Sequence, residues 1–308
     1  MQRVIVILLF TVVTLTWGTT WLAMKIAGES IPPLFATGLR FLSASPLLFL
    51  LLLIFKKPVL FPQGQRLFQW ILCLFYFAIP FSLMIYGELY VSASLAAIIF
   101  SVMPVAVLIA SMLLLKETVN LYQIMGLIVT LTALALILIN ESVEGLNGES
   151  MGIMALLSAV ILHAFLYTKT KKLCGSISVL TFNALPCLGA GLLLTAAGWW
   201  LESPNIAFMS LDSIYAVVYL GAFAGVFGIM SYFLLQKKAT PFQASMVFLI
   251  FPIVAIVLDT LIYEKSIADE SMFLLLPLGV GMFLLLRGNT QQIKSNESMA
   301  SKIRASKA

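Results

Sequence analysis

Charge is scarce in this chain. Eighteen basic and 13 acidic side chains are spread over 308 residues, so 10% of the chain is charged and 61% is hydrophobic. A soluble protein of this length needs far more charge to cover its surface, so a water-soluble globular fold is excluded and lipid is the natural solvent. Histidine occurs once, at His163, and cysteine three times, at Cys73, Cys174 and Cys187. These match no zinc or redox spacing, and no disulfide is expected. No Gly-rich Walker loop is present, which excludes a recognisable site for ATP hydrolysis, and no extramembrane Ser/His/Asp set points to nucleophilic catalysis. No cofactor and no metal is implied, and the chain reads as a non-enzyme.

What is there is a series of apolar runs. About 20 such residues cross a bilayer core, and spans are expected at 4–24, 33–55, 67–87, 94–115, 121–140, 151–168, 179–200, 211–236, 243–263 and 272–286. The first lacks a small-x-small cleavage site and is followed by further spans, so it reads as a retained helix rather than a cleaved leader. Connections are short, which makes neighbouring helices antiparallel. The stretch after Arg287 is rich in Ser, Asn and Lys and is expected to be a disordered tail.

The formal charge of +5 does not indicate nucleic acid, because the basic residues sit in short loops where they set orientation. With the N-terminus in the cytoplasm, fifteen of the eighteen fall inside: Arg3, Lys56, Lys57, Arg66, Lys116, Lys169, Lys171, Lys172, Lys237, Lys238, Arg287, Lys294, Lys302, Arg304 and Lys307. Only Lys25 and Lys265 fall outside, and Arg40 lies within a span. The outside loops are acidic instead, with Glu141, Glu144, Glu149, Glu202, Asp212, Asp269 and Glu270. Both termini are therefore expected in the cytoplasm of a multi-pass inner (plasma) membrane protein. Adding or removing one span would scramble this alternation.

Ten spans divide into five and five, and an odd number per half starts the two halves on opposite faces. Internal matches support the division. Pro104 with Glu117 in the fourth span parallels Pro252 with Glu264 in the ninth, with a gap one residue shorter. Trp17, Trp21 and Lys25 are spaced by four, as are His163, Tyr167 and Lys171, and Ala133 and Gly281 sit at matching offsets. The expected fold is thus an all-α polytopic membrane protein of ten transmembrane helices in two inverted five-helix repeats, 1–145 and 146–287, followed by the tail 288–308.

Several stretches resemble the drug/metabolite transporter superfamily, specifically its ten-helix carriers built from two EamA-type repeats. They are Trp17-Gly18-Thr19-Thr20-Trp21 with Lys25; Pro32-Pro33 with Leu39-Arg40-Phe41; and Tyr90-Val91-Ser92-Ala93-Ser94-Leu95-Ala96-Ala97 with Pro104 and Lys116-Glu117. The second repeat is fainter, with Gln243-Ala244-Ser245, Pro252 and Glu264. The likeness runs from about Val4 to Leu286. It is specific for the fold and poor for the substrate. It implies export or exchange of small metabolites, such as amino acids and related compounds, without ATP. The chain departs from the pattern in its shortened ninth-helix gap and in Asp259 within that helix.

The side chains that could carry this work are few. A charge at the bilayer centre costs about 2.5–3.5 kcal/mol on insertion scales, so Arg40, about 12 Å from the outer end of the second helix, needs a reason. It is either an anion ligand facing a wet cavity or a structural charge bonded to a neighbouring helix. Asp259 falls in the same outer half and either couples to Arg40, substrate or proton at a gate, or is a near-surface carboxylate meeting water. His163 has the side chain for a proton relay or is a neutral packing residue. Trp17, Trp21, Tyr86 and Tyr167 are cavity-lining candidates or interface anchors, and Trp199-Trp200 reads as an anchor. Glu88 reads as a loop residue at the end of the third helix. Pro104 and Pro252, in corresponding helices, are gating candidates because proline frees a carbonyl at membrane depth.

The expected activity is alternating access around a central site, with a small-molecule substrate, the lipid bilayer and protons or a counter-substrate as partners. Two alternatives use the same composition: a membrane-embedded enzyme acting on lipid-linked substrates, and a channel or non-transporting membrane partner.

Overall fold

The computed structural model describes residues 2–143, 149–173, 177–239, 244, 246–263 and 267–305. Among these all regular structure is helical, as it must be where lipid offers no partner to backbone N–H and C=O groups. The helices are α1 (Gln2–Ser30), α2 (Pro33–Ile54), α3 (Arg66–Glu88), α4 (Ala93–Leu115), α5 (Leu121–Val143), α6 (Glu149–Leu173), α7 (Val179–Leu201), α8 (Leu211–Lys238), α9 (Val247–Tyr263) and α10 (Asp269–Ala305). Among the described residues, nine have the length and apolarity to cross a membrane, and α9 is a shorter apolar helix. One end of the bundle, the acidic end, carries Glu88, Glu149, Glu202 and Asp269 at the ends of α3, α6, α7 and α10. The basic end carries Arg3, Lys56, Lys57, Lys116, Lys237 and Lys238.

Local chemistry explains the starts and stops. Ser92, Ser178 and Ser210 cap α4, α7 and α8 by accepting a bond from the backbone N–H three residues on, each at 3.1 Å. Lys116 closes α4 in the left-handed region at φ 54°. The tail expected to be disordered is instead a helical continuation of α10 to Ala305. No proline and no further glycine follows Gly288 to stop it.

Two helices contain π turns, Cys73–Ala78 in α3 and Tyr219–Gly228 in α8, and these are the third helices of the two halves. Pro80 follows the first, where its missing N–H removes one rung of the α-ladder. Gly221, Gly225 and Gly228 populate the second. Pro104 sits just after a break at Val102 that divides α4. Pro252, expected to kink α9 in the same way, lies inside one unbroken helix.

The helix pairings repeat when helix i is exchanged with helix i+5. The pair α1–α8 matches α6–α3, α1–α9 matches α6–α4, and α2–α8 matches α7–α3. Three pairs map onto themselves: α2–α7, α4–α9 and α5–α10. The direction of the first and last proves inversion. A Cβ on Gly38 would meet Thr195 N at 2.5 Å, one on Gly198 would meet Phe35 N at 2.6 Å, and one on Gly191 would meet Leu42 N at 3.1 Å. The contacts run antiparallel, so the second helix of one half points opposite to that of the other. The same holds for Gly126 against Leu285 N at 2.6 Å and Gly281 against Thr130 N at 2.7 Å. Small residues let these backbones touch where lipid gives no hydrophobic drive.

Gly281 and Gly279 therefore separate packing from propensity. Gly281→Ala forces the α5 and α10 backbones apart and is expected to destabilise by about 1–3 kcal/mol. Gly279, with nothing within 4 Å of a built Cβ, is expected to accept alanine with unchanged or raised stability. Thermal unfolding of the two variants in detergent checks the contrast.

Candidate functional site

Six helices, α1, α3, α4, α6, α8 and α9, bring their aromatic and polar side chains together. His163 on α6 stands edge-on to Tyr76 and Phe81 of α3, with ring centroids at 5.1 and 5.2 Å, and to Phe100 of α4 at 6.2 Å. Trp17 on α1 meets Tyr232 of α8 at 4.7 Å and Phe248 of α9 at 5.6 Å. These are the same helix relations under the i to i+5 exchange: α6 with α3 and α4, α1 with α8 and α9. Phe100 and Phe248 each precede by four residues the prolines at 104 and 252. Trp21 joins the two groups, lying 4.9 Å from Phe100 and stacked at 6.2 Å on Phe251. Nearer the basic end, Tyr167 and Tyr232 both lie beside the Gln236 side chain.

A second group lies toward the acidic end and is built from charges. Arg40 is buried, its guanidinium 4.7 Å from the centre of the Phe81 ring, and it donates to the Met24 thioether at 3.5 Å. Phe81 is thus shared between Arg40 and His163. Glu88 is 1% exposed, and among the described residues neither of its carboxylate oxygens has a hydrogen-bond donor. Lys25 donates to the carbonyls of Glu88 at 2.5 Å and Val91 at 3.0 Å, pinning the α3–α4 turn to α1. Asp259 is 2% exposed. It accepts from the backbone N–H of Ser94 at 3.0 Å and from its hydroxyl at 2.6 Å. Lys25, Asp259 and Arg40 all lie within electrostatic reach of Glu88.

This end is also where polar bonds cross between the halves. Tyr263 donates to Glu29. Glu202 spans the start of α2 with both oxygens, accepting from Leu34 N and Phe35 N at 3.0 Å each, where the helix dipole favours an anion. Ser213 donates to the Ile26 carbonyl at 2.6 Å, and Ser30 accepts from Ser210 N at 2.9 Å. At the basic end, the bonds between halves among the described residues join the outer pairs. Thr181 donates to the Pro58 carbonyl at 2.6 Å, and Asn120 to the Gly288 carbonyl at 2.8 Å.

Set against the sequence reading, Trp17, Trp21, Arg40 and His163 are brought into one connected assembly. Tyr167 is 46% exposed near the basic end and joins that assembly only through Gln236. Tyr86 does not join it; its ring lies 5.2 Å from Tyr90 in the α3–α4 turn. Asp259 neither meets water nor pairs with Arg40; the buried backbone N–H in the first turn of α4 and the hydroxyl, both of Ser94, hold it instead. Glu88 is buried in the last turn of α3 rather than in a loop. Lys171, Ser245, Glu264 and Lys265 have side chains outside the described residues, as do Cys174 and Gln243. Tyr76, Tyr232 and Gln236 carry no periodic or charge signal that separates them from other polar residues in apolar runs. Cys73 and Cys187 are buried free thiols, and among the described residues no His/Cys/Asp/Glu group has the arrangement of a metal site.

The family model for the EamA-like transporter family matches this chain twice, over residues 4–139 and 150–287. Protein PagO of Salmonella typhimurium is 57% identical over 93% of this chain and 94% of its own length. An uncharacterized transporter of Buchnera aphidicola is 50% identical over 93% and 95%. The uncharacterized inner membrane transporter YedA of Escherichia coli is 29% identical over 79% and 78%. A solved crystal structure superposes with a TM-score of 0.65 at 16% identity, covering 92% of this chain and 97% of the other, which shows the shared fold. The chain, with its inverted halves joined through self-mapping helix pairs, is a multi-pass membrane transporter and belongs to the EamA-like transporter family.

Proposed function

We propose that this transporter is a secondary carrier of the inner membrane that exports or exchanges small metabolites, amino acids or related compounds, by alternating access. The observation that carries the reading is the exchange-symmetric pairing of α1, α3, α4, α6, α8 and α9 around one aromatic and polar assembly. Two similar units packed upside down against each other have two equivalent ways of tilting, one closing each end. Trp17, Trp21, Arg40, His163 and Tyr167 are the side chains offered to cargo, with Tyr86 at the rim. Asp259, Pro104 and Pro252 sit on the self-mapping pair α4–α9, where a gate would act. The charge alternation supports cytoplasmic termini, which makes the acidic end external. Its many cross-repeat bonds then support an outward-closed state. A gradient of solute, counter-substrate or protons would drive such a carrier, since the sequence contains no Walker loop.

Counterflow tests the class. Proteoliposomes containing the purified chain and a metabolite mixture are expected to accelerate uptake of labelled solute when unlabelled solute is inside. A channel gives uptake without acceleration and a membrane enzyme gives product instead; either result refutes the carrier. For orientation, a single cysteine placed between 144 and 148 is expected to react with an impermeant maleimide in intact cells. Labelling only after lysis would overturn it.

Asp259→Ala removes two bonds to a charged acceptor, each worth about 1.5–3 kcal/mol. It is expected to shift the equilibrium toward an open acidic end by about tenfold or more, read as faster modification of a cysteine at position 97 in the variant. An unchanged rate would mean that the Ser94–Asp259 contact is no gate.

A further inference from the structure

Asp212, Tyr215, Tyr219, Phe223 and Phe227 follow one another along α8 at spacings of three and four. In an α-helix four residues overshoot one turn, and across a π turn they fall short of one, so a helix that mixes the two keeps such positions in line. The π turn Tyr219–Gly228 does this here. Tyr219 stacks on Phe223 with ring centroids at 5.4 Å, and Phe223 lies 5.1 Å from Phe227. The column is open to its surroundings: Tyr215 is 66% exposed, and Phe223 and Phe227 are 47% exposed. It faces lipid and not the aromatic assembly. Its neighbour on α1 is Thr19, whose hydroxyl meets that of Tyr219 at 2.5 Å, and Thr19 stands about 200° round α1 from Trp17. At the acidic end the column borders a recess of about 370 Å³, with Asp212, Tyr215 and Tyr219 on its α8 wall and Thr19, Leu22 and Ile26 on its α1 wall. Ser213 bonded to Ile26 and Ser210 bonded to Ser30 hold the two walls together.

We propose that this recess and column are a docking site for one phospholipid whose headgroup carries a primary ammonium, drawn from the leaflet at the acidic end. The occupant follows from the order of the side chains. From the helix end inward they run carboxylate, phenol, phenol, phenyl, phenyl. A phospholipid of that kind runs ammonium, phosphate and ester, acyl chain over the same depth. The rise from Asp212 to Phe227 is about 22 Å, and one leaflet with its headgroups is about 20–22 Å thick. The ammonium donates to the Asp212 carboxylate and lies against the Tyr215 ring. The Thr19–Tyr219 hydroxyl pair sits at ester depth, and an acyl chain runs along Phe223 and Phe227. A quaternary ammonium keeps the ring contact but has no N–H to give the carboxylate, and a headgroup of net negative charge is repelled by Asp212. The recess opens on the side of α1 away from the residues offered to cargo, so the site does not depend on what the carrier moves. Because α1 and α8 belong to different halves, the docked lipid bridges them.

The test uses the full chain in detergent micelles, stripped of carried lipid. It is incubated with equal amounts of dioleoyl phosphatidylethanolamine, phosphatidylcholine and phosphatidylglycerol, and the lipids retained are counted by native mass spectrometry. The ethanolamine lipid is expected to be retained at least about threefold over each of the other two. Asp212→Asn is expected to abolish that preference and Asp212→Glu to keep it. Phe223→Ala is expected to cut retention of the ethanolamine lipid by about threefold or more and to leave the preference in what remains. Glycerophosphoethanolamine, the same headgroup without chains, is expected not to displace the lipid at equal concentration. Retention of the three lipids in equal proportion overturns the proposal, as does a preference that survives in Asp212→Asn. Wild-type retention in Phe223→Ala removes the aromatic column and overturns the docking along it. Displacement by the chainless headgroup marks a site for a free amine and overturns the lipid.

Discussion

The architecture depends on how two inverted bundles are joined where lipid supplies no hydrophobic drive between helices. Every bond between the halves has to come from shape or polarity. Three helix pairs map onto themselves under the exchange, and they use different means. The pairs α2–α7 and α5–α10 are joined by backbone against backbone, with glycines at Gly38, Gly191, Gly198, Gly126 and Gly281 leaving no room for a Cβ. Such contacts are short-ranged and geometrically strict, so they slide or hold but do not switch. The third pair, α4–α9, is joined at the acidic end by a carboxylate on a helix N-terminus. That contact is directional and breakable. Two fixed seams and one polar latch are the mechanical elements that a rocking motion requires.

The same division explains where irregular backbone is found. The π turns of α3 and α8 and the break at Val102 in α4 all lie on helices of the inner six, not on the glycine-sealed outer pairs. Non-helical rungs at membrane depth survive where protein, not lipid, surrounds them. Pro252 shows the limit of reading them from proline alone. A proline inside a helix costs one hydrogen bond, and the neighbouring turns of α9 absorb it without a break. In α8 the irregularity comes from glycines, with no proline present.

What the sequence made legible follows from the range of the signals. Span number and inversion are encoded in hydropathy and in the alternation of loop charge, both of which sum over many residues, and they survive small errors at any edge. Helix ends do not: α1 runs on to Ser30 and α6 to Leu173 because polar residues at an interface continue a helix as readily as they end it. The side-chain assembly was only half legible. Trp17, Trp21 and His163 stood out by spacing and rarity, and Arg40 by its cost in lipid. Glu88 did not, because a carboxylate beside a turn looks solvated in one dimension. Its burial is created by α1 and α6 packing on the α3–α4 turn, which no local pattern records. The partner of Asp259 was hidden for the complementary reason: an amide at the start of α4 is backbone and leaves no mark in a sequence.

Charge placement ties these observations together. In a chain with so few ionisable groups, four of them, Lys25, Arg40, Glu88 and Asp259, converge on one end of the inner six helices. Two are saturated by backbone and hydroxyl partners and hold helices together: Lys25 ties α1 to the α3–α4 turn, and Asp259 ties α9 to α4. Of the other two, Glu88 has no hydrogen-bond donor at either carboxylate oxygen among the described residues, and Arg40 meets a thioether and an aromatic face rather than an anion. Saturated charges fix a position, whereas unsaturated ones keep an energetic deficit that is removed only when complementary charge arrives. Because the two kinds share one layer, filling the second kind changes the field felt by the first. In the carrier proposed here, a change of charge in this layer acts directly on the contacts that hold the acidic end shut, and differential affinity for the two tilts needs no longer-range relay.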